Sequence, residues 1–265
     1  MNAMTYTMPP QRTPSRVGLL FVGLLAIVLW NAQSVETLKA PLVSGMPLVE
    51  RCVEATSMLG DAARCHIVHG AGTITLRASL DHTGSIRVCV RAIADDARAA
   101  ARLAHAAAIT VKAARDELTV VTPRLLEPGV VVDVDVTLPE GIPLDVDTVG
   151  GRTTAVGVGP LTLRSQSGTV ELEGPTAQYD VETGTGCVDI ELRRGPRPAG
   201  RVRTVTGVVS VAAQFHGNVG RGATTYPLQI EARSLRGHVD GSKGTDGGPV
   251  LKVESLDGDI HVREI

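Results

Sequence analysis

Three groups of residues in this 265-residue chain carry side chains that could do chemistry. Cys65, His66 and His69 stand together and, with Cys52, would offer sulfur and imidazole to a zinc ion, although their spacing matches no common zinc framework. Asp133 and Asp135 share one parity of an alternating stretch, and Asp145 and Asp147 share one parity of the next. If those two strands were neighbours, four carboxylates would line one face, the oxygen-rich setting of a hard cation such as Ca²⁺; otherwise they solvate a strand. His216, His238 and His261 fall in separate segments, and His261 follows Asp257 and Asp259, yet no serine or cysteine nucleophile stands beside them on a recognisable elbow. Arg193, Arg194, Arg197, Arg201 and Arg203, broken by Gly195, Pro196, Pro198 and Gly200, read as a basic loop that could touch anionic lipid or polysaccharide. These patterns assign no catalytic, cofactor or metal-binding residue.

The elements that would position such groups are written in a repeat. Between Val146 and Ile260 one phrase recurs six times: an apolar residue, any residue, Ser or Thr, two residues, Gly, any residue, then usually Val or Ile. Its glycines are Gly151, Gly168, Gly186, Gly207, Gly237 and Gly258, spaced 17, 18, 21, 30 and 21 residues apart. Apolar residues alternate on both sides of each glycine, as in Leu161, Leu163, then Val170, Leu172, so each copy predicts two short strands with one buried face. The glycine is expected to reverse the chain at positive φ, and the hydroxyl to bond the backbone there. Repeats of this period predict an all-β solenoid of stacked rungs; the alternative is an antiparallel meander with shared turn chemistry. Upstream, Val130, Val132, Val134, Val136 and Leu138 alternate as a further strand, and Ala92 to Ala108 predicts one short helix capped by Asp95 or Asp96.

Composition fits one elongated β domain cored by Val, Leu, Ile and Ala, because Tyr6, Phe21, Trp30, Tyr179, Phe215 and Tyr226 are the only aromatics. A formal charge of −2 argues against a nucleic-acid partner, which requires a basic footprint. Val17 to Trp30 is a 14-residue apolar run behind Arg12 and Arg16, with no acidic residue before Glu36. That layout predicts a signal-anchor over residues 17–34, with 1–16 cytoplasmic, 35–64 a juxtamembrane linker and 65–265 an extracytoplasmic β domain. Cleavage at Ala32-Gln33-Ser34, releasing a secreted protein, is the alternative. Export permits disulfides, and Cys52 with Cys65 is the expected pair; Cys89 and Cys187, on outward parity, could pair or stay free.

The early Gly72-x-Ile74-x-Leu76 hairpin, the strand end Val134-x-Val136-x-Leu138-Pro139-x-Gly141 and the six Ser/Thr-x-x-Gly turns resemble the bacterial adhesin-like β-solenoid domain family across roughly residues 65–265. The family's domains have largely unknown function and are often carried behind one membrane anchor. In that family Asp often follows the turn glycine; here the column reads Arg152, Thr169, Cys187, Val208, His238 and Asp259, so the last copy alone conforms. The resemblance implies no catalytic residues and no cofactor. It implies a non-enzymatic binding, adhesion or envelope-sensing module held at the membrane through residues 17–34, with a protein or glycan partner. A β-helix polysaccharide lyase or hydrolase is the alternative, and it would need clustered carboxylates.

Overall fold

The computed structural model describes residues 37–39, 42–43, 46–59, 63–192, 198–213, 228–241 and 249–265. The expected membrane segment 17–34 therefore lies outside the described residues, as do His216, Phe215, Tyr226, Arg193, Arg194 and Arg197. Among the described residues no helix is long and apolar enough to cross a membrane.

The described residues are all-β apart from one helix. In order it forms β1 (Thr37–Lys39), β2 (Leu42–Val43), β3 (Met46–Met58), β4 (Arg64–Ser79), β5 (Thr83–Ile93), α1 (Ala97–Ala106), β6 (Thr110–Ala113), β7 (Glu117–Val121), β8 (Val130–Pro139) and β9 (Leu144–Val156). It continues through β10 (Leu161–Glu173), β11 (Tyr179–Leu192), β12 (Gly200–Thr206), β13 (Val209–Ala213), β14 (Gln229–Ser234), β15 (Val239–Gly241), β16 (Val250–Asp257) and β17 (Ile260–Glu264). All seventeen strands join one large mixed sheet.

Its parallel part is a stack of tiers. β4, β9, β10 and β11 pair in that order; the pair β12–β13 follows, then β16–β17, and β14–β15 stands last. Register is strict, so like positions of the sequence phrase stack: Leu163 on Val181, Ser165 on Thr183, Gly168 on Gly186, Val170 on Val188. The tiers do not follow chain order at the far end, where the C-terminal β16–β17 is inserted beneath β14–β15. Apolar content accounts for this. β16 and β17 point Leu251, Val253, Ile260 and Val262 inward, all buried, whereas β14–β15 offers Ile230, Ala232 and Val239 on the same parity. Placing the richer tier between two neighbours buries more apolar surface.

The other end is closed by antiparallel strands. β8 pairs with the second half of β4, β5 pairs antiparallel with β8, and β3 lies antiparallel on β5 over eleven residue pairs. Residues 46–58, expected as part of a linker, are thus a strand of the sheet, in which Val49, Cys52 and Ala55 are buried. The helix α1 starts where Asp96 accepts a hydrogen bond from the Ala99 amide at 2.7 Å, buries Ala100 and Ala104, and ends where the Arg51 guanidinium donates to the carbonyls of Ala104 and His105.

Two expectations are corrected. The disulfide joins Cys52 to Cys89, not Cys65: the β3–β5 register sets the first two face to face with Cα atoms 4.1 Å apart. Cys65 points into the core from β4, in register with Leu118 and Leu144, and stays a free thiol; burial pushes it up to about 12. Cys187 is free and exposed.

The repeated glycines, in turn, do not reverse the chain. Gly151, Gly168 and Gly186 lie inside continuous strands β9, β10 and β11. They mark a corner at which inward parity shifts by one residue, from Leu161, Leu163 and Ser165 to Val170 and Leu172. Gly72, read as part of a hairpin, is a further member within β4, stacked on Gly151.

Candidate functional site

The corner generates the surface most suited to a function. Numbered back from each corner glycine, the residue three before points inward and those two and four before point outward. The inward column is hydroxylic, with Thr148, Ser165, Thr183, Thr204 and Ser255 all buried. Three of these hydroxyls bond locally, Thr148, Ser165 and Thr204 donating to the carbonyls of Gly150, Ser167 and Thr206 at 3.2, 2.8 and 3.2 Å; Thr183 instead reaches across to Thr204 at 3.1 Å, and the Ser255 hydroxyl has no hydrogen-bond partner among the described residues. In β4 the same position is His69, fully buried, with Nδ1 3.0 Å from the Thr122 hydroxyl. Thr122 also accepts from the Gly70 amide at 3.0 Å. Burial lowers the His69 pKa to about 4, against a smaller opposing pull from Asp133, so the ring is neutral.

The column four residues before the glycine is charged, and its signs alternate tier by tier: Asp147, Arg164, Glu182, Arg203, Glu254, Arg233. Arg203 Nε donates to Glu254 at 2.9 Å and its Nη1 lies 3.3 Å from Glu182, contacts that reinforce its guanidinium charge, Glu254 first. Arg164 lies 3.8 Å from Asp147. The column two residues before the glycine becomes apolar toward the far end, where Val205, Leu256 and Leu235 are 50, 45 and 61% exposed on three consecutive tiers.

Between these two outward columns runs a trough floored by strand backbone. One cavity of about 490 Å³ spans His69, Arg124, Ser165, Gln166 and Thr183. A second of about 460 Å³ spans Arg203, Arg233, Leu235, Glu254 and Leu256. The two share Glu182, Thr183 and Val205, so they form one surface crossing the tiers. A mixed wall of alternating charge opposite an apolar stripe can hold an extended partner; it aligns no nucleophile with a base.

The other groups of reactive residues disperse. Asp133 and Asp135 are separated from Asp145 and Asp147 by β4, whose opposite halves they border, so the four carboxylates share no face. Asp133 pairs with Arg91 and accepts from the Thr73 amide at 3.1 Å, while Asp145 lies 3.5 Å from His66 and 3.6 Å from Arg164. Cys65 and His69 are buried on one parity and His66 on the other. Among the described residues the group of potential metal ligands is Glu50, Cys52 and Cys89, and the disulfide occupies both sulfurs. His238 and His261 are exposed; the His238 amide donates to Asp259 at 2.8 Å. Arg201 and Arg203, expected in a loop, belong to β12 and both pair with Glu254.

Of the six corner glycines, four carry positive φ: Gly151, Gly168, Gly186 and Gly207, at 103, 112, 135 and 136°. Gly237 and Gly258 do not, which corrects the expectation of a shared positive φ; close approach requires glycine there instead. A Cβ on Gly258 would fall 1.8 Å from the Gly207 carbonyl oxygen, and one on Gly237 would fall 2.1 Å from that of Gly258. The alternation of signs is not legible in the sequence, because in chain order Arg203 and Arg233 are consecutive members of the column and Glu254 comes between them in the stack alone.

The fold and site together define an all-β protein with a cross-strand trough. Similar solved structures include a candidate cell adhesion protein from Clostridium sporogenes, 12% identical, covering 80% of this chain and 99% of that one at a TM-score of 0.47. A candidate adhesin from Bacteroides fragilis is 16% identical, covers 81% of this chain and 97% of its own, and scores 0.40. No protein-family profile matches the chain, and no curated protein matches it.

Proposed function

We propose that this chain is a non-enzymatic binding module of the bacterial envelope, a β-solenoid anchored through residues 17–34 that holds an extended protein or glycan partner in the trough. The single observation carrying this reading is the run of Val205, Leu256 and Leu235 exposed on consecutive tiers beside the charged column. Exposed apolar side chains in a contiguous stripe are costly in water and mark contact surfaces. The strict parallel register supports the solenoid, since stacked corners give each tier the same inward and outward columns. The Cys52–Cys89 bond supports an oxidising compartment, and the basic residues before the apolar run at 17–30 support export with the β domain outside. The dispersal of Asp133, Asp135, Asp145 and Asp147 supports the absence of glycosidase or lyase chemistry, which needs a carboxylate pair across one bond.

A reporter active only outside the cytoplasm, fused to the C-terminus, tests the placement. An active, membrane-bound fusion is expected; an inactive one overturns export, and an active fusion in the soluble fraction overturns the anchor.

A further inference from the structure

The two ends of the tier stack are unlike. At the β3–β5 end antiparallel strands and α1 cover the core. At the other end β14 pairs with β16 and β15 with β17, and among the described residues no strand lies on their outer side. The core shows there. Val239 stacks on Ile260, which stacks on Val209; the last two are fully buried, while Val239 is 40% exposed. Stacked-repeat proteins need a cap at such an end, because an uncovered tier leaves both apolar side chains and a row of backbone donors and acceptors facing out.

We infer that a second copy of this chain pairs with the open β14 edge, the two β14 strands running antiparallel about Ala232. The residues of β14 are self-complementary for that arrangement. A two-fold axis through Ala232 sets Glu231 opposite Arg233 of the other copy and Arg233 opposite its Glu231, two attractive cross-strand pairs on the outward face. Ile230, Ala232 and Ser234, on the inward parity, then meet only inward residues of the other copy, so the apolar face continues across the junction. A strand charged only to repel a neighbour would carry one sign; this one carries both, two residues apart. Parallel pairing, the rule in the rest of the stack, would set each charge against its like.

The test uses full-length chain in detergent micelles with Cys187 changed to Ser, oxidised with copper phenanthroline. Ala232→Cys is expected to form a disulfide-linked dimer, because the two side chains meet at the axis. Gln229→Cys is expected not to, since its copies stand roughly 20 Å apart in this register. Light scattering is expected to give a dimer that Glu231→Arg weakens on the order of tenfold and that Glu231→Arg with Arg233→Glu restores. A particle that stays monomeric overturns the inference, as does equal cross-linking at both positions or a charge-swapped pair that fails to recover.

Discussion

His69 occupies the position that serine or threonine takes in the tiers from β9 onward, and its burial makes it a pH-dependent residue. Its folded pKa, lowered to about 4, lies below the ordinary value of 6.5. Between those values the unfolded chain binds a proton that the folded chain does not. Its contribution is therefore constant above about pH 6.5, and stability falls as pH drops from 6.5 toward 4, by about 3 kcal/mol in total. Chemical denaturation at pH 7.5 and pH 4.5 should show that loss in the parent and a smaller one in His69→Thr; parallel curves would contradict the account. The disulfide is the second test at this scale. Cys52 and Cys89 close a loop of 37 residues, so Cys89→Ser should cost about 2–4 kcal/mol, read from the denaturant midpoint. Reductant should lower the parent toward the variant and leave the variant unchanged, whereas Cys65→Ser should leave the effect of reductant intact.

At the scale of elements, the stacked corner is the unit of stability, and the glycines separate its two causes. Gly168 has φ of 112° and would place a Cβ 2.0 Å from the Gly151 oxygen; Gly258 has the second constraint without the first; Gly174 has φ of 52° but open space around it. Alanine should therefore cost about 3 kcal/mol at Gly168, slightly less at Gly258, and about 1 kcal/mol at Gly174. Thermal melts of the three variants measure this, and a Gly258→Ala protein as stable as the parent would show that stacking is not what demands glycine. The charged column gives a second measure. Arg203 sits between Glu182 and Glu254, so Arg203→Glu sets three carboxylates in a row and should lower the thermal midpoint. Adding Glu254→Arg should recover most of the loss. The next column is less regular: Arg201 falls in register with Lys252 and turns to Glu254 at 3.5 Å.

For the molecule as a whole, what could be read from the sequence was what local pattern controls. Alternation around Gly168 and Gly186 announced the strands and their inward faces, and Asp96 announced the helix. What escaped was non-local. Cys52 and Cys65 are near in sequence, yet β3 lies against β5, so Cys89 is the partner. The six phrases carry no sign of the order in which their tiers stack; apolar content places β16–β17 inside β14–β15, and only that order makes the signs Arg203, Glu254, Arg233 alternate. The alternating wall of the trough depends on that arrangement, since chain order would set Arg233 beside Arg203. The most direct measurement of the central claim is co-sedimentation of the full-length chain, in nanodiscs, with isolated bacterial envelopes, while soluble reducing ends are followed in the same samples. The account predicts saturable binding that Leu256→Asp with Leu235→Asp abolishes, that Asp133→Asn with Asp135→Asn leaves in place, and that releases no new ends. Release of ends that the aspartate variants abolish would contradict it, as would binding indifferent to the two leucines.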